Sequence, residues 1–218
     1  MKYQLSKFLW GLIDLVFPPT CGGCKKAGVR WYDDDIKQTP KLLPPICLIC
    51  GQTISAKADA LCNRCATSAP HFDAVRAWAE FNGPFRNTFH ALKYRKNIGF
   101  RESLSIHLQQ LLKQLNWNIQ FIIPVPRGKE RERQRGYNQA ALIAKPLVLG
   151  LQLPYNPKII FRLGDTQSQV GLSLVERGRN IKGAFQDHKS VSHKRVLIID
   201  DVATSGSYAL LSMLVLKR

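Results

Sequence analysis

The stretch Val196–Ser207, VLIIDDVATSGS, constrains the fold more than any other part of this chain. Val196, Leu197, Ile198 and Ile199 make an unbroken aliphatic run, the pattern of a strand buried on both faces of a parallel sheet. Asp200 and Asp201 follow where that strand is expected to end. Ala203, Thr204, Ser205, Gly206 and Ser207 are then all small, and Tyr208–Leu216 is apolar enough to begin a helix. In open α/β sheets, ligands bind beyond the carboxyl ends of the strands. A small-residue loop entering a helix presents free N–H groups and the positive end of the helix dipole, which suits a phosphate. Two adjacent carboxylates beside it can hold ribose hydroxyls, or a magnesium ion that neutralises a pyrophosphate.

Other readings of this stretch are weaker. An aliphatic strand ending in Asp-Asp also belongs to Walker B segments, but these need a G-x-x-x-x-G-K-[ST] partner, which the chain lacks. Receiver domains carry their acidic pair near the start of the chain. A purely structural turn has no need of five small residues in succession. All twelve positions resemble the phosphoribosyl-pyrophosphate (PRPP) signature of type I phosphoribosyltransferases. That resemblance implies the 5′-phosphate of PRPP on Ala203–Ser207, and its ribose and magnesium on Asp200 and Asp201.

All six cysteines lie in the first third of the 218 residues, as three C-x-x-C pairs: Cys21/Cys24, Cys47/Cys50 and Cys62/Cys65. Two such knuckles complete a tetrahedral zinc site. The run Cys47-x2-Cys50-x11-Cys62-x2-Cys65 has zinc-ribbon spacing, and Gly51 allows the turn after the first knuckle. Disulfides are disfavoured because nothing suggests secretion. Cys21 and Cys24 have no fourth pair; they are either a vestigial knuckle or competitors for the one zinc. Residues 25–46 hold instead Trp31, Tyr32, the acidic run Asp33–Asp35 and three prolines.

Charge adds a second constraint. Thirty-two Lys and Arg against 15 Asp and Glu give a net +17, which suggests a polyanionic partner, most plausibly nucleic acid. Arg127, Lys129, Arg131, Arg133 and Arg135 alternate with other residues just past an expected strand at Ile119–Val125. Five cations so placed can grip pyrophosphate or nucleic-acid phosphates. The longest apolar run, Phe8–Phe17, is broken by Gly11 and Asp14 and falls well short of the about 20 residues needed to span a bilayer. Leu5, Leu9, Leu12, Ile13 and Val16 share one helical face, so residues 1–19 read as a short amphipathic helix docked on the body, without stable membrane insertion. Pro18-Pro19 in place of a small-residue cleavage site argues against a signal peptide.

Further elements follow from periodicity. Ala74–Phe81 and Asn156–Leu163 read as strands, and Pro84–Tyr94, Glu102–Leu115 and Ala140–Leu149 as helices. Residues 166–185 are polar and basic without clear periodicity, and read as a mobile or substrate-facing hood between two strands. The five histidines have no metal-like or triad spacing. Pro70–Asp73 marks a boundary between a cysteine-rich module at 20–70 and a second domain at 71–218.

The chain as a whole resembles the ComF family, also called ComFC or GntX type. The residues that carry the resemblance run nearly end to end: Phe17-Pro18-Pro19-x-Cys21-x-x-Cys24, the ribbon pairs, Leu92-Lys93-Tyr94-Arg95, Pro124-Val125-Pro126, Arg135-Gly136-Tyr137-Asn138-Gln139, Thr166-x-x-Gln169-x-x-Leu172, Arg177-x-x-Asn180 and the PRPP-like stretch. The resemblance implies a zinc module fused to a phosphoribosyltransferase-like α/β domain, a parallel sheet with helices on both faces. It further implies a cytoplasmic role in DNA uptake during natural competence. Its partners would be single-stranded DNA, PRPP or a nucleotide, and other competence proteins such as a DNA-translocating helicase. The second of the family's four C-x-x-C pairs is missing, so the double zinc ribbon is partly degenerate. Eleven residues follow Ser207, so the last strand is expected to be absent or shortened to Met213–Leu216. An active phosphoribosyltransferase in nucleotide metabolism or salvage is the alternative, with Arg127, Lys129 and Arg135 on the departing pyrophosphate. A third reading is a scaffold that senses a nucleotide.

Overall fold

The computed structural model describes residues 18–55, 60–68, 70, 72–94, 99–163, 184–187, 194–204 and 209–216. Two short helices, α1 (Asp33–Lys37) and α2 (Asn63–Thr67), precede strand β1 (Phe72–Glu80). Helices α3 (Gly83–Tyr94) and α4 (Phe100–Leu115) lead to β2 (Phe121–Pro124), then α5 (Lys129–Arg135) and α6 (Gln139–Leu151). The chain continues through β3 (Ile160–Arg162), β4 (Phe185–Asp187), β5 (Val196–Thr204) and β6 (Ala209–Leu216).

The aliphatic run behaves as its composition implies. Leu197 and Ile199 enter the main core with Ile122, whereas Val196 and Ile198 enter a second core with Ile123 and Ile159. Such alternation follows from the two-residue period of a strand. β5 pairs in parallel with β2, from Phe121↔Val196 to Pro124↔Ile199.

The other side of β5 departs from expectation. β6 pairs antiparallel with β5 and also with β1, giving the strand order β1-β6-β5-β2. The sheet is therefore mixed rather than parallel, and Ala209–Leu216, read as part of a helix, is a strand. A short apolar run is ambiguous between helix and strand by periodicity alone. Here the vacant backbone edges of β1 and β5 decide it, because residues 209–216 satisfy main-chain groups on both sides at once. The strand contains Met213–Leu216, the segment read as a shortened last strand, and extends it back to Ala209.

Helices cover one face of this sheet. Leu104, Leu108 and Leu112 of α4, spaced four apart, are buried with Phe85, Phe89 and Leu92 of α3 and Ile143 and Leu147 of α6. Among the described residues the opposite face is covered by Ile159 and Ile160 around β3, not by helices. β3 is a shorter version of the strand read at Asn156–Leu163. It pairs antiparallel with β4, an element that lacked any periodic signal. Residues 1–17 and 164–183, where the amphipathic helix and most of the hood were expected, lie outside the described residues.

The cysteine-rich segment packs directly on the body. Cys21 and Trp31 belong to the same core as Phe85 and Leu104. The Val75 N–H donates to Ile49 O at 2.6 Å, and a Cβ on Gly51 would sit 2.5 Å from Val75 O. Gly51 also holds φ at +69°, so only glycine suits that turn. Trp78 of β1 meets Trp31 edge-on and stacks on His107 with centroids 4.3 Å apart. Lys41 Nζ lies 3.1 Å from the Trp78 ring centroid, a cation–π contact, and burial pushes its ammonium down to about 8. Burial, then the Lys41 charge, lowers the His107 pKa as well. Among the described residues no helix is long and apolar enough to cross a membrane.

Leu108 is completely buried between helices and sheet. Leu108→Ala should destabilise the chain by about 2–5 kcal/mol in urea unfolding at unchanged slope; a loss under about 1 kcal/mol would place Leu108 outside the core.

Candidate functional site

Three short pieces of chain assemble the cysteine cluster. The Cys47–Gly51 turn is closed by hydrogen bonds from Cys47 N to Gln52 O (2.8 Å) and from Gly51 N to Cys47 O (3.0 Å). Cys62 is the N-cap residue of α2, and Cys65 lies one turn further in. The Sγ atoms of Cys47, Cys50, Cys62 and Cys65 all lie within 4.8 Å of one another, with Cys50 and Cys62 at 3.7 Å. Four thiolates about 2.3 Å from a tetrahedral zinc would be about 3.8 Å apart, so the residues present fit that ion. Ile49 and Ile54 pack around the cluster and shield it. Such a closed shell would supply folding energy rather than a reactive position.

The cluster's electrostatics are uneven. Burial raises the Cys47 thiol, but N–H groups of Cys62, Cys50 and Ile49 outweigh it and bring the pKa to about 6. Burial pushes Cys65 up to about 12, helped by the neighbouring thiols, and also raises Cys50. Arg76 feels the Cys47 and Cys50 charges, although burial dominates and lowers its pKa. One anionic ligand beside a guanidinium and further thiols is an arrangement a divalent cation would complete.

A second group gathers at the first knuckle. Cys21 Sγ donates to Asp35 Oδ2 at 2.8 Å, and Cys24 N donates to the same oxygen at 3.1 Å. Cys21, Cys24 and Asp35 are within mutual ligand distance. Asp35 was visible in the sequence only as part of an acidic run, without a role. The two groups, one of four cysteines and one of two cysteines and an aspartate, could each hold a metal ion.

The other predicted positions distribute differently. The parallel ladder ends at Pro124↔Ile199, and Val125 N donates to Ile199 O (2.9 Å). Asp200 is thus the first residue beyond the parallel pair, beside the segment that leads to Arg127. β5 continues to Thr204, however, so Asp200, Asp201, Ala203 and Thr204 are strand residues rather than a strand end and loop. The ladder with β6 shifts register between Asp200 and Ala203. Ser205, Gly206 and Ser207 lie outside the described residues. Lys129, Arg131, Arg133 and Arg135 occupy α5, between Gly128 and a left-handed Gly136. Lys, Glu, Arg and Gln are good helix formers, which outweighs the alternating charge pattern. At 3.6 residues per turn, positions 129 and 133 share one side of α5 while 131 and 135 share another. Glu130 accepts from Gln134 Nε2 at 3.0 Å along the helix.

The run Arg135-Gly136-Tyr137-Asn138-Gln139 serves partly to build this corner. The Asn138 side chain caps α6 by accepting from Ala141 N (3.3 Å) and donates to Val125 O (2.9 Å), tying α6 to the chain leaving β2. Tyr137 donates to Leu92 O at 2.5 Å.

Fold and clusters define a mixed α/β protein with a cysteine-rich module whose two side-chain groups could hold metal ions. No protein-family model matches the chain. It is 29% identical over 195 residues to competence protein F of Haemophilus influenzae, covering 86% of this chain and 79% of that protein. It is 31% identical over 151 residues to the DNA utilization protein YhgH of Escherichia coli O157:H7, covering 67% of this chain and 66% of that protein. Competence protein ComFC of Bacillus subtilis is 24% identical over 176 residues, covering 77% of this chain and 69% of that protein. The chain belongs to the ComF family.

Metal binding requires deprotonated thiols, so Cys47 sets part of its pH dependence. Below about pH 6 the Cys47 thiol is protonated in the metal-free chain, and above it is already a thiolate. Zinc binding should therefore release about one proton more at pH 5 than at pH 7.5, read by calorimetry in buffers of different ionisation enthalpy. Equal release at both pH values would contradict the assigned environment of Cys47.

Proposed function

We propose that this chain binds single-stranded DNA in the cytoplasm during DNA uptake in natural competence. The observation that carries the reading is similarity to proteins named for competence and DNA utilization, matched over about two thirds or more of the chain. The net charge of +17 supports it, because a polyanion is the partner that such an excess of cations attracts. Arg127 and the cations of α5 lie just past the carboxyl end of β2, where ligands of α/β sheets collect. The metal-binding module would act as a rigid platform packed on β1. Other competence proteins, such as a DNA-translocating helicase, are the protein partners this role calls for.

The second reading, PRPP or nucleotide binding, rests on the signature at 196–207 and on Asp200 lying beside the parallel strand end. Asp200 and Asp201 would hold ribose and magnesium, and Ala203–Ser207 the 5′-phosphate. Ala209–Leu216 is a strand and supplies no helix dipole to that phosphate, so backbone N–H groups and magnesium would carry its neutralisation. Arg127, Lys129, Arg131, Arg133 and Arg135 serve pyrophosphate in this reading and nucleic-acid phosphates in the first. A phosphoribosyl transfer would need both sites at once.

Fluorescence anisotropy with a labelled single strand across a salt series separates the two. If about six phosphates are contacted, log affinity should fall against log salt with a slope of roughly −4. Arg131→Ala, Arg133→Ala and Arg135→Ala combined should weaken all sequences alike and flatten the slope, because phosphate contacts carry no base information. Absence of binding at low salt would overturn the DNA reading. In calorimetry with PRPP and magnesium, Asp200→Asn with Asp201→Asn should abolish any heat that the unmodified chain gives; no heat from that chain would end the second reading.

A further inference from the structure

The module repeats itself, and the repeat is visible in its backbone. Around the first knuckle, Cys21 N donates to Lys26 O (2.8 Å) and Lys25 N to Cys21 O (3.1 Å), inside a bridge between Thr20 and Ala27. Around the second, Cys47 N donates to Gln52 O (2.8 Å) and Gly51 N to Cys47 O (3.0 Å), inside a bridge between Ile46 and Thr53. The fifth residue of each turn, Lys25 or Gly51, has φ of +69°. A lysine in that left-handed region is uncommon, so this turn shape is imposed by its surroundings and not chosen by the residue.

The partner halves match as well. Each knuckle faces the start of a five-residue helix whose N-cap is extended: Cys62 at φ −71°, ψ 156°, and Tyr32 at φ −74°, ψ 146°. Cys65 is the third helical residue of α2, and Asp35 is the third helical residue of α1. Asp35 therefore stands where Cys65 stands, and Tyr32 where Cys62 stands. Tyr32 is not a substitute ligand, because its hydroxyl donates to Ala27 O at 2.6 Å. Gly23 makes room for the carboxylate: a Cβ there would lie 2.7 Å from Asp35 Oδ2.

We propose that Cys21, Cys24 and Asp35 form a second transition-metal site, with three protein ligands and a fourth position open to water or an external donor. The site differs in kind from the four-cysteine cluster, which is closed. Asp35 is 7% exposed and Cys21 1%, whereas Cys24 is exposed, so the open position faces outward past Cys24. The Asp35 carboxylate already gathers the Cys21 thiol and the Cys24 N–H on one oxygen, so a divalent cation would take the place of the thiol proton and keep the carboxylate and both sulfurs as ligands. On binding, both thiols lose their protons to solvent, leaving a complex of charge −1 next to Lys25 and Lys26. Three protein ligands plus an exchangeable one are the pattern of zinc that exchanges or accepts ligands, as opposed to purely structural zinc. A cleft of about 270 Å³ lined by Lys25, Arg86, Asn87, His90 and Ala91 begins one residue from Cys24, giving an incoming anionic donor a cationic approach.

Metal analysis of the full chain, purified reduced and without chelator, should give two zinc ions. Asp35→Ala should remove one and leave the other, as should Cys47→Ser with Cys50→Ser. With a chromogenic chelator, release should be biphasic, and Asp35→Ala should abolish only the faster phase. Asp35→Cys, which keeps a ligand at this position, should retain two ions. In the cobalt-loaded chain, azide should shift the visible bands of the Asp35-dependent ion, while the Asp35→Cys form should show three thiolate bonds at that site. One zinc per chain, unchanged by Asp35→Ala, would overturn the proposal. Cobalt bands indifferent to azide would overturn the open fourth position.

Discussion

The pairing of β5 with β2 is the constraint on which the rest of the structure depends. Four aliphatic residues in succession leave the first part of β5, Val196–Ile199, no polar face, so it must be covered on both sides. One face takes the helical layer of α3, α4 and α6; the other takes the smaller cluster around Ile159. β2 runs parallel to β5 only as far as Pro124↔Ile199, and from there the chain leaving β2 beside Asp200 leads to Arg127 and α5 while β5 continues to Thr204. Asn138 then ties the start of α6 back to Val125. The basic segment is positioned by these backbone and cap contacts, independently of any ligand.

The cysteine-rich module depends on the body in turn. It has its own small cluster of thiols, Ile49 and Ile54, but Cys21 and Trp31 are buried in the main core. The contact from Val75 N to Ile49 O joins the second knuckle to β1. Loss of metal would thus be felt at the sheet edge as well as in the knuckles, and two metals of unequal lability would let one be exchanged while the other holds the module in place.

Much of this architecture was legible in the sequence where a single physical signal dominates. Leucines four apart defined α4, the apolar run from Ala140 located α6, and two C-x-x-C pairs located the four-cysteine cluster. Legibility failed where the deciding partner is distant in sequence. Residues 209–216 become a strand because β1 and β5 offer vacant edges on either side, and neither edge is visible locally. The cations at 129–135 alternate in sequence, and the helix α5 that carries them was not among the elements read from periodicity. Asp35 acquires its place through Cys21 fourteen residues away. The resemblance to the ComF family was carried by short motifs spread over the whole chain, and similarity to the competence and DNA utilization proteins agrees with it.

The account joins a basic α/β body to a cysteine-rich module able to hold metal and proposes single-stranded DNA as the ligand of the result. Photocrosslinking of the full chain to a short single-stranded oligonucleotide, followed by peptide mapping, tests that assignment most directly. The account predicts crosslinked peptides from residues 127–139, lost at high salt together with binding. Crosslinks confined to other parts of the chain, or persisting unchanged at high salt, would contradict it.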